Sequence, residues 1–362
     1  MLNFDKENVL SFLNGLVVYR RILKDEVISA FVAGNIHEFT ALLIEKAHIM
    51  ELRSDILGKY LYHLFLRDEN VFTLACEKKQ NVRDTILYKY AVKDIEALKI
   101  LYNEADLEEL IKHYENHGAG DMAQFSMFSL NGAGELVGVR YPDPITFDDI
   151  IGCQSQKAAL MGNTEAFIAG KPVNNVLLVG SRGNGKSSCV KALINRYGDL
   201  RLVEVGKDQI SFLPRLAEYL SERGKHFIIY MDDLSFEQTE TEYKYLKSLL
   251  EGGAGTKPDN VLFCATSNRR HIIKESWKDR DSDDEIHIGD AINEKMSLSD
   301  RFGLTLYFPH INQEEYLQIV AGLGAKYGLD IDKAKALQWA AEHKRMSGRT
   351  AVQFLNFIRR DL

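Results

Sequence analysis

The chain has 362 residues, of which 45% are apolar and 27% charged, and its formal net charge at pH 7 is −7. This length allows roughly two or three domains, and the composition is typical of a soluble globular protein. The acidic balance excludes a general electrostatic attraction to nucleic acid or anionic membranes, but it does not exclude a local basic patch. No apolar run approaches the about 18 residues of a membrane-spanning helix.

The cysteines and the opening residues both predict a cytoplasmic protein. The four cysteines lie far apart and form no C-x-x-C pair, so we expect reduced thiols at Cys76, Cys153, Cys189 and Cys264. The opening sequence MLNFDKENVL has an early acidic residue and no apolar core, which is not the pattern of a signal peptide.

Residues 1–117 are predicted to form a helical amino-terminal domain. Apolar residues recur there at helical spacing, as in the stripes Val9, Phe12, Leu13, Leu16, Val17 and Ile36, Phe39, Leu43, Ala47. The pattern continues through Ile95, Leu98 and Tyr102. We expect these stripes to pack within the domain's own core rather than to form grooves for a partner.

Residues 118–146 are predicted to form a β-hairpin or an extended linker. Turns of small residues surround two short alternating runs, at 125–130 and 136–139. The sequence YPDPITFDDIIG follows, and its two prolines force an extended backbone.

Residues 147–311 are predicted to form an α/β domain with a parallel sheet of about five strands flanked by helices. Short apolar runs alternate there with amphipathic helical stretches, at 176–179, 202–205, 227–231, 261–265 and 305–308. Such alternation is typical of parallel strands covered on both faces. Residues 312–362 return to a helical pattern, and we expect them to form a small carboxy-terminal lid.

The stretch VLLVGSRGNGKSS (176–188) contains the complete pattern G-x-x-x-x-G-K-[ST]. Its glycines allow backbone N–H groups to approach phosphate oxygens, Lys186 places a positive charge on the β- and γ-phosphates, and Ser187 offers a hydroxyl to Mg²⁺. A phosphate-binding loop also needs a strand before it and a helix after it, and an apolar strand and a helix flank this motif. The alternative is an ordinary glycine-rich turn, which has no such requirement. We expect phosphate binding by Gly180, Ser181, Arg182, Gly183, Asn184, Gly185, Lys186, Ser187 and Ser188.

A carboxylate for the metal follows the strand in FIIYMDDLSFE. Asp232 comes directly after the apolar run, which is the Walker B arrangement, and we expect it to hold the Mg²⁺ water shell. Asp233 stands where many ATPases carry a glutamate that activates the attacking water. Its side chain is one methylene shorter, so Glu237 is a possible substitute, and Asp233 could instead cap a helix.

The stretch VLFCATSNRRHI is predicted to be a further buried strand. It ends in Thr266, Ser267 and Asn268, which would place an amide beside the γ-phosphate if this strand neighbours the P-loop strand. Asparagine commonly ends strands, so the residue alone is a weak signal.

With these elements in order, the chain resembles an AAA+ ATPase. The segment FDDIIGCQSQKAAL (147–160) resembles the part of that family that folds over the adenine, which implies a base pocket at Ile150, Ile151 and Gly152. The resemblance implies the sensor 1 role for Asn268, with Thr266 as the alternative. It also implies a P-loop NTPase sheet, ATP and ADP as ligands, and Mg²⁺.

Two further segments carry arginines that the resemblance implies are functional. SLSDRFGL (297–304) resembles the segment that ends in the arginine finger, here Arg301, and SGRTAVQFL (347–355) resembles the sensor 2 motif with Arg349. An arginine finger is worth about 10³–10⁵ in rate. In AAA+ rings it comes from the adjacent subunit, so the resemblance implies an oligomer. A surface Asp300–Arg301 pair and helix capping by Arg349 are the alternatives.

More narrowly, the chain resembles one uncharacterised bacterial family of AAA+ proteins, a domain of unknown function. The sequences DDLSFE, YKYLKSLLEGG, ATSNRRH and EKMSLSDRFGL carry this resemblance, which covers residues 125–362 and, more weakly, the helical part. In that family an Asp-Asp pair also replaces Asp-Glu. The family has no settled biology, so the resemblance implies nothing about the client.

Several other features are weak signals. His113 and His117 have a metal-compatible spacing, but the order H-E-x-x-H and a third ligand are missing. The acidic run 275–290 is predicted to be a solvated loop. Arg269 and Arg270 could reach a neighbouring subunit's nucleotide or pair with acids. The stretch 206–219 lacks the aromatic–hydrophobic–glycine triplet of polypeptide-threading AAA+ proteins.

The leading hypothesis is a Mg²⁺-dependent ATPase that remodels or moves an unknown macromolecular client as an oligomer. The main alternative is a nucleotide-gated binding or assembly switch that hydrolyses ATP slowly, which the short Asp233 favours. A small-molecule kinase is a weaker hypothesis, because it has no need for the arginine series. We expect a self-associating protein without a membrane partner, and nothing indicates nucleic acid.

Overall fold

The computed structural model describes residues 5–235, 246, 250, 258–268 and 300–360. The chain divides into two compact units. Unit 1 contains Met1–Phe125 and the short segment Arg223–Lys225, and unit 2 contains Ser126–Glu222 and His226–Leu362.

Unit 1 is built from helices. They are α1 (Lys6–Gly15), α2 (Glu26–Val32), α3 (Ile36–Ile49), α4 (Ile56–Leu66), α5 (Val71–Glu77), α6 (Ile86–Lys99), α7 (Leu107–His117) and α8 (Asp121–Gln124), with a 3₁₀ turn at Arg20–Lys24. Short polar side chains begin many of them: Asp5, Asp25, Asn70, Thr85 and Asp106 each accept a hydrogen bond from a backbone N–H of the first turn.

The predicted apolar stripes form the core of unit 1. Val9, Phe12, Phe39, Leu43, Ile95 and Leu98 are all buried. The rings of Tyr19 and Phe65 stack at the centre with centroids 4.0 Å apart. Val17 and Ile36 differ from the prediction because they lie at the stripe edges, where 49% and 40% of their surfaces are exposed.

A buried ion pair fixes the segment Arg223–Lys225 within unit 1. Arg223 donates two hydrogen bonds to the Glu77 carboxylate, at 2.9 and 2.7 Å, and one to Glu69 at 2.8 Å. The side chains of Arg223 and Glu77 are 3% and 0% exposed. Burial lowers the pKa of Arg223, but the hydrogen bonds and charge of Glu77 outweigh it and the pKa is raised.

Unit 2 contains a seven-stranded sheet. Its strands are β1 (Met127–Leu130), β2 (Leu136–Gly138), β3 (Val176–Gly180), β4 (Leu200–Glu204), β5 (His226–Met231), β6 (Val261–Ser267) and β7 (Leu304–Phe308), in the order β2-β1-β4-β5-β6-β3-β7. All neighbouring strands are parallel except β1 and β2, which are antiparallel. The predicted mixed α/β class with a mostly parallel sheet is therefore confirmed.

The five strands predicted within residues 147–311 are β3 to β7, and the sheet contains two further strands that precede them in the chain. The stretch 118–146 contains a hairpin, β1 and β2, and its first strand extends the sheet by pairing in parallel with β4, with Met127 opposite Leu202. The sequence did not distinguish a hairpin from an extended linker, because pairing at a sheet edge depends on a partner strand about 75 residues away along the chain. Local sequence patterns do not identify such a partner.

The α-helices of unit 2 within the described residues are α9 (Gln154–Ile168), α10 (Lys186–Arg196), α11 (Leu213–Ser221), α12 (Gln313–Lys326), α13 (Lys333–Glu342) and α14 (Gly348–Arg360). Every residue of β6 is buried, so both faces of the sheet are covered at its centre. The helices α12–α14 pack around their own apolar core, which includes Tyr316 and Phe354. In the described part of the chain, no helix is long and apolar enough to cross a membrane.

Candidate nucleotide site

A cavity of about 1020 Å³ lies in unit 2, beside the carboxyl ends of β3, β5 and β6. Among the predicted site residues, Ile150, Ile151, Arg182, Gly183, Asn184, Gly185, Lys186, Ser187, Ser188, Asp232, Asp233, Asn268 and Arg349 line it. Parallel strands present their carboxyl ends at the same edge of a sheet, which is where ligands bind in open α/β folds. The fold therefore brings most of the predicted residues together around one space.

The loop between β3 and α10 has the backbone that its glycines permit. Gly183 and Gly185 adopt φ angles of +80° and +88°, which L side chains rarely adopt. A Cβ at Gly180 would lie 2.2 Å from the carbonyl oxygen of Phe308 on the neighbouring strand. The loop is consequently a cradle that side chains at these positions would fill or distort.

Lys186 begins α10 and its ammonium group lies inside this loop. It donates to the carbonyl oxygens of Gly180 and Ser181, at 2.7 and 2.9 Å, and to Oδ1 of Asn268 at 3.1 Å. Burial lowers the pKa of Lys186, although the charges of Asp232 and Asp233 oppose the shift. A cation surrounded by neutral carbonyl partners is suited to exchange them for phosphate oxygens.

One carboxylate oxygen of Asp232 accepts hydrogen bonds from three hydroxyl groups. Ser187, Tyr230 and Thr266 donate to its Oδ1 at 2.8, 2.6 and 2.5 Å. Loss of surrounding water raises the pKa of Asp232, but the hydrogen bonds from Thr266, Tyr230 and Ser187 outweigh it and the pKa is lowered. The carboxylate is thus ionised at neutral pH and stands beside the hydroxyl of Ser187, a pair of hard oxygen donors that suits Mg²⁺.

Asp233 forms an ion pair within the same site. Arg182 of the loop donates to its Oδ2 at 2.8 Å, and the amide of Asn268 donates to its Oδ1. The backbone N–H of Asp233 donates to Thr266 Oγ1 at 2.9 Å, and its φ angle is +50°. Asn268 therefore contacts both Lys186 and Asp233, because β6 lies directly beside β3.

The apolar end of the cavity combines a segment before α9 with helix α12. Lys157 donates to the carbonyl of Ile150 at 2.8 Å and so fixes that segment. Gln318, Ile319 and Leu323 of α12 also line the cavity. These α12 residues were not predicted from the sequence, where their only signal was the helical pattern.

Of the two arginines predicted from the family resemblance, one lines the cavity and the other does not. Arg349 lines the cavity, and its backbone N–H donates to the carbonyl of Gly183 at 3.3 Å. Arg301 lies in the turn before β7 and is not among the residues that line the cavity. Gly180 and Ser181 do not line it either, but their carbonyls hold Lys186.

Other sequence signals lie elsewhere. Glu237, Arg269, Arg270 and the acidic run 275–290 fall outside the described residues. Within the ranges that are described, no group of three or more His, Cys, Asp or Glu side chains could hold a metal ion, and this includes the vicinity of His113 and His117.

Residues 121–361 match a family described as "Protein of unknown function (DUF815)". The match covers more than half of the chain, and the protein belongs to this family. No curated protein matches the sequence.

Similar solved structures include RuvB proteins of Thermotoga maritima. Two point mutants are 19% and 18% identical to this chain, with TM-scores of 0.40 and 0.42, and each match covers 58% of this chain and 63% of that one. A third, titled a Holliday junction branch migration motor, is 14% identical with a TM-score of 0.36 over 59% of this chain and 72% of that one. The chain thus spans less than two thirds of the two mutants, and likenesses of this size carry no conclusion about activity.

Proposed function

We propose that this protein is an AAA+ ATPase that binds ATP with Mg²⁺ and hydrolyses it to ADP and phosphate. The observation that carries the proposal is the hydrogen bond from Ser187 to Asp232, at 2.8 Å, beside the loop that holds Lys186. These are the hydroxyl, carboxylate and lysine that P-loop NTPases use for the metal and the phosphates.

The chain's own groups have separate roles in this proposal. The loop 180–188 and the start of α10 bind the phosphates, with Lys186 moving from its carbonyl partners to the phosphate oxygens. Ser187 and Asp232 hold Mg²⁺, which supplies charge stabilisation to the β- and γ-phosphates. The apolar end, at Ile150 and Ile151, receives the base.

Asp233 is the proposed general base. It accepts a proton from water as the water oxygen attacks the γ-phosphorus, and the bond to the bridging oxygen of ADP breaks. Its contacts with Arg182 and Asn268 must open for the carboxylate to reach that water. Asn268 and Arg349 are proposed to stabilise the transferring phosphoryl group.

Arg301 is proposed to act on the nucleotide of a neighbouring copy. The arginine lies outside the lining of its own cavity, which agrees with a role in trans. The active form would then be an oligomer, working in the cytoplasm to remodel or move a macromolecular client. The four cysteines are free thiols, the state that a reducing compartment maintains.

The oligomer is tested by ATP hydrolysis as a function of protein concentration. We expect the rate per chain to rise with concentration and to fall at least about 10³-fold in Arg301→Ala. ATP binding should survive the substitution. A rate per chain that is constant over concentration and equal in the variant contradicts the role in trans.

A slowly hydrolysing, nucleotide-gated switch is the second candidate. The observation that favours it is the double restraint on Asp233, whose short side chain is held by both Arg182 and Asn268. A misplacement of about 1 Å can cost on the order of a hundredfold in rate. A single-turnover experiment separates the two: a burst of bound ADP with slow release supports the ATPase, whereas intact ATP retained on the protein supports the switch.

A further inference from the structure

We propose that Tyr230 is a positioning residue for the metal ligand Asp232, and that Thr266 shares this role. The inference rests on the proposed function, because the cation it concerns is the Mg²⁺ that accompanies ATP. Neither residue carries a role in the motif patterns discussed above, apart from Thr266 as an alternative to Asn268.

The strand geometry places Tyr230 beside Asp232. Side chains two positions apart along a strand point to the same face, so the phenol at the end of β5 lies under the carboxylate that follows. The Tyr230 side chain is 0% exposed, and its hydroxyl is 2.6 Å from Asp232 Oδ1. Because no bulk water reaches a buried phenol, this contact is what satisfies its donor.

Thr266 reaches the same oxygen from the neighbouring strand. It is 1% exposed, and β5 and β6 pair in parallel with Met231 opposite Ala265, which brings its hydroxyl to the turn after β5. Its oxygen accepts the backbone N–H of Asp233 at 2.9 Å, so its own hydrogen is free to point at Asp232 at 2.5 Å.

These contacts place the two oxygens of the Asp232 carboxylate in different environments. Three donors converge on Oδ1, and Oδ2 receives none of the three. Hydrogen bonds to a charged oxygen are short and strong, so they fix the torsion of the side chain and keep it ionised. The two buried hydroxyls therefore hold Asp232 in one orientation, with one oxygen saturated and the other left for the cation's hydration shell.

The orientation of Asp232 matters because the turn after β5 contains two carboxylates and only one of them is available to a cation. The second aspartate at this turn, Asp233, is already engaged by Arg182 and Asn268, so Asp232 is the carboxylate left to the metal. Groups that orient a metal ligand typically contribute about 10–100-fold to metal affinity or activity.

Nucleotide affinity with and without Mg²⁺ tests the assignment. The full chain, Tyr230→Phe and Thr266→Val are titrated with a fluorescent ATP analogue, once with Mg²⁺ and once with EDTA. We expect affinity in EDTA to be unchanged and the gain from Mg²⁺ to fall by at least about tenfold in each variant. Tyr316→Phe is the matched control: this tyrosine is also 0% exposed, and its hydroxyl donates to a backbone carbonyl in α13 instead.

The outcomes are distinct. A Tyr230→Phe protein that is folded and gains as much from Mg²⁺ as the unaltered chain overturns the assignment, and Thr266→Val decides the matter if Tyr230→Phe does not fold. An unaltered chain that binds nucleotide without any gain from Mg²⁺ also overturns it while leaving nucleotide binding intact. A chain that binds no nucleotide under either condition overturns the proposed function and this assignment together.

Discussion

Arg182 and Asp233 form an ion pair with an N–O distance of 2.8 Å, which joins the phosphate-binding loop to the turn after β5. Their side chains are 63% and 46% exposed, so water and salt screen the pair. The same two residues are proposed here to act on the nucleotide. The pair is therefore a contact that the protein can open at little cost when nucleotide binds.

Removing an arginine should have very different effects in the two units. Arg182→Ala is expected to change the free energy of unfolding by at most about 1 kcal/mol, because exposed pairs contribute little. Arg223→Met is expected to cost about 3–5 kcal/mol, because it leaves the Glu77 carboxylate buried and without its main partner. Urea unfolding of the whole chain measures both, and equal losses in the two variants would contradict this account.

The stability of the protein should fall as the pH falls from about 6.5 to 4. Burial lowers the pKa values of His63 and His113 to about 4, assisted by the charges of Arg67 and the neighbouring histidines, and both Nε2 atoms lack a partner. The unfolded chain, with histidine pKa values near 6.5, then binds more protons across this window. Each histidine contributes a slope of at most about 1.4 kcal/mol per pH unit.

Thermal unfolding at pH 7 and pH 5 measures this slope. His63→Gln and His113→Gln should each flatten it, whereas His48→Gln, at an exposed position of α3, should leave it unchanged. The interpretation fails if the buried and exposed replacements give the same pH dependence.

Gly180→Ala should distort the phosphate-binding loop. The added methyl group would meet the carbonyl oxygen of Phe308 at 2.2 Å, and backbone cannot move aside as a flexible side chain can. Loss of nucleotide binding of at least about tenfold is expected, from the misplaced N–H groups. The control is Gly162→Ala in the middle of α9, where nothing lies within 4 Å.

Gly162→Ala should bind nucleotide normally and gain up to about 1 kcal/mol of stability from the higher helix propensity of alanine. If Gly180→Ala binds nucleotide as tightly as Gly162→Ala, the tight approach of the loop to β7 has no bearing on the site.

How much of the site the sequence predicts depends on the distance over which each feature is encoded. The loop 180–188 and Asp232 are contiguous with their strands, so spacing alone predicts them. The contact of Asn268 with Lys186 could be predicted only on the condition that β6 lies beside β3. The two strands are neighbours in the sheet, and the contact is present.

Features that depend on packing between distant residues were not predictable. The pair between Arg182 and Asp233 joins positions 51 residues apart, and its formation depends on side-chain direction at a non-glycine residue with φ of +50°. The α12 residues that line the cavity depend on how helices pack rather than on their pattern. Tyr230 could have been found from strand alternation, which places it on the face of Asp232.

The most direct test of the central claim is phosphate release from ATP by the purified full chain, measured alongside Lys186→Ala and with Mg²⁺ or EDTA. The account predicts release by the unaltered chain that requires Mg²⁺, and a loss of at least about a hundredfold in Lys186→Ala, because the ammonium held in the loop can no longer reach the phosphates. A chain that neither binds nor hydrolyses ATP, or a Lys186→Ala variant that hydrolyses it at the unaltered rate, would contradict the account.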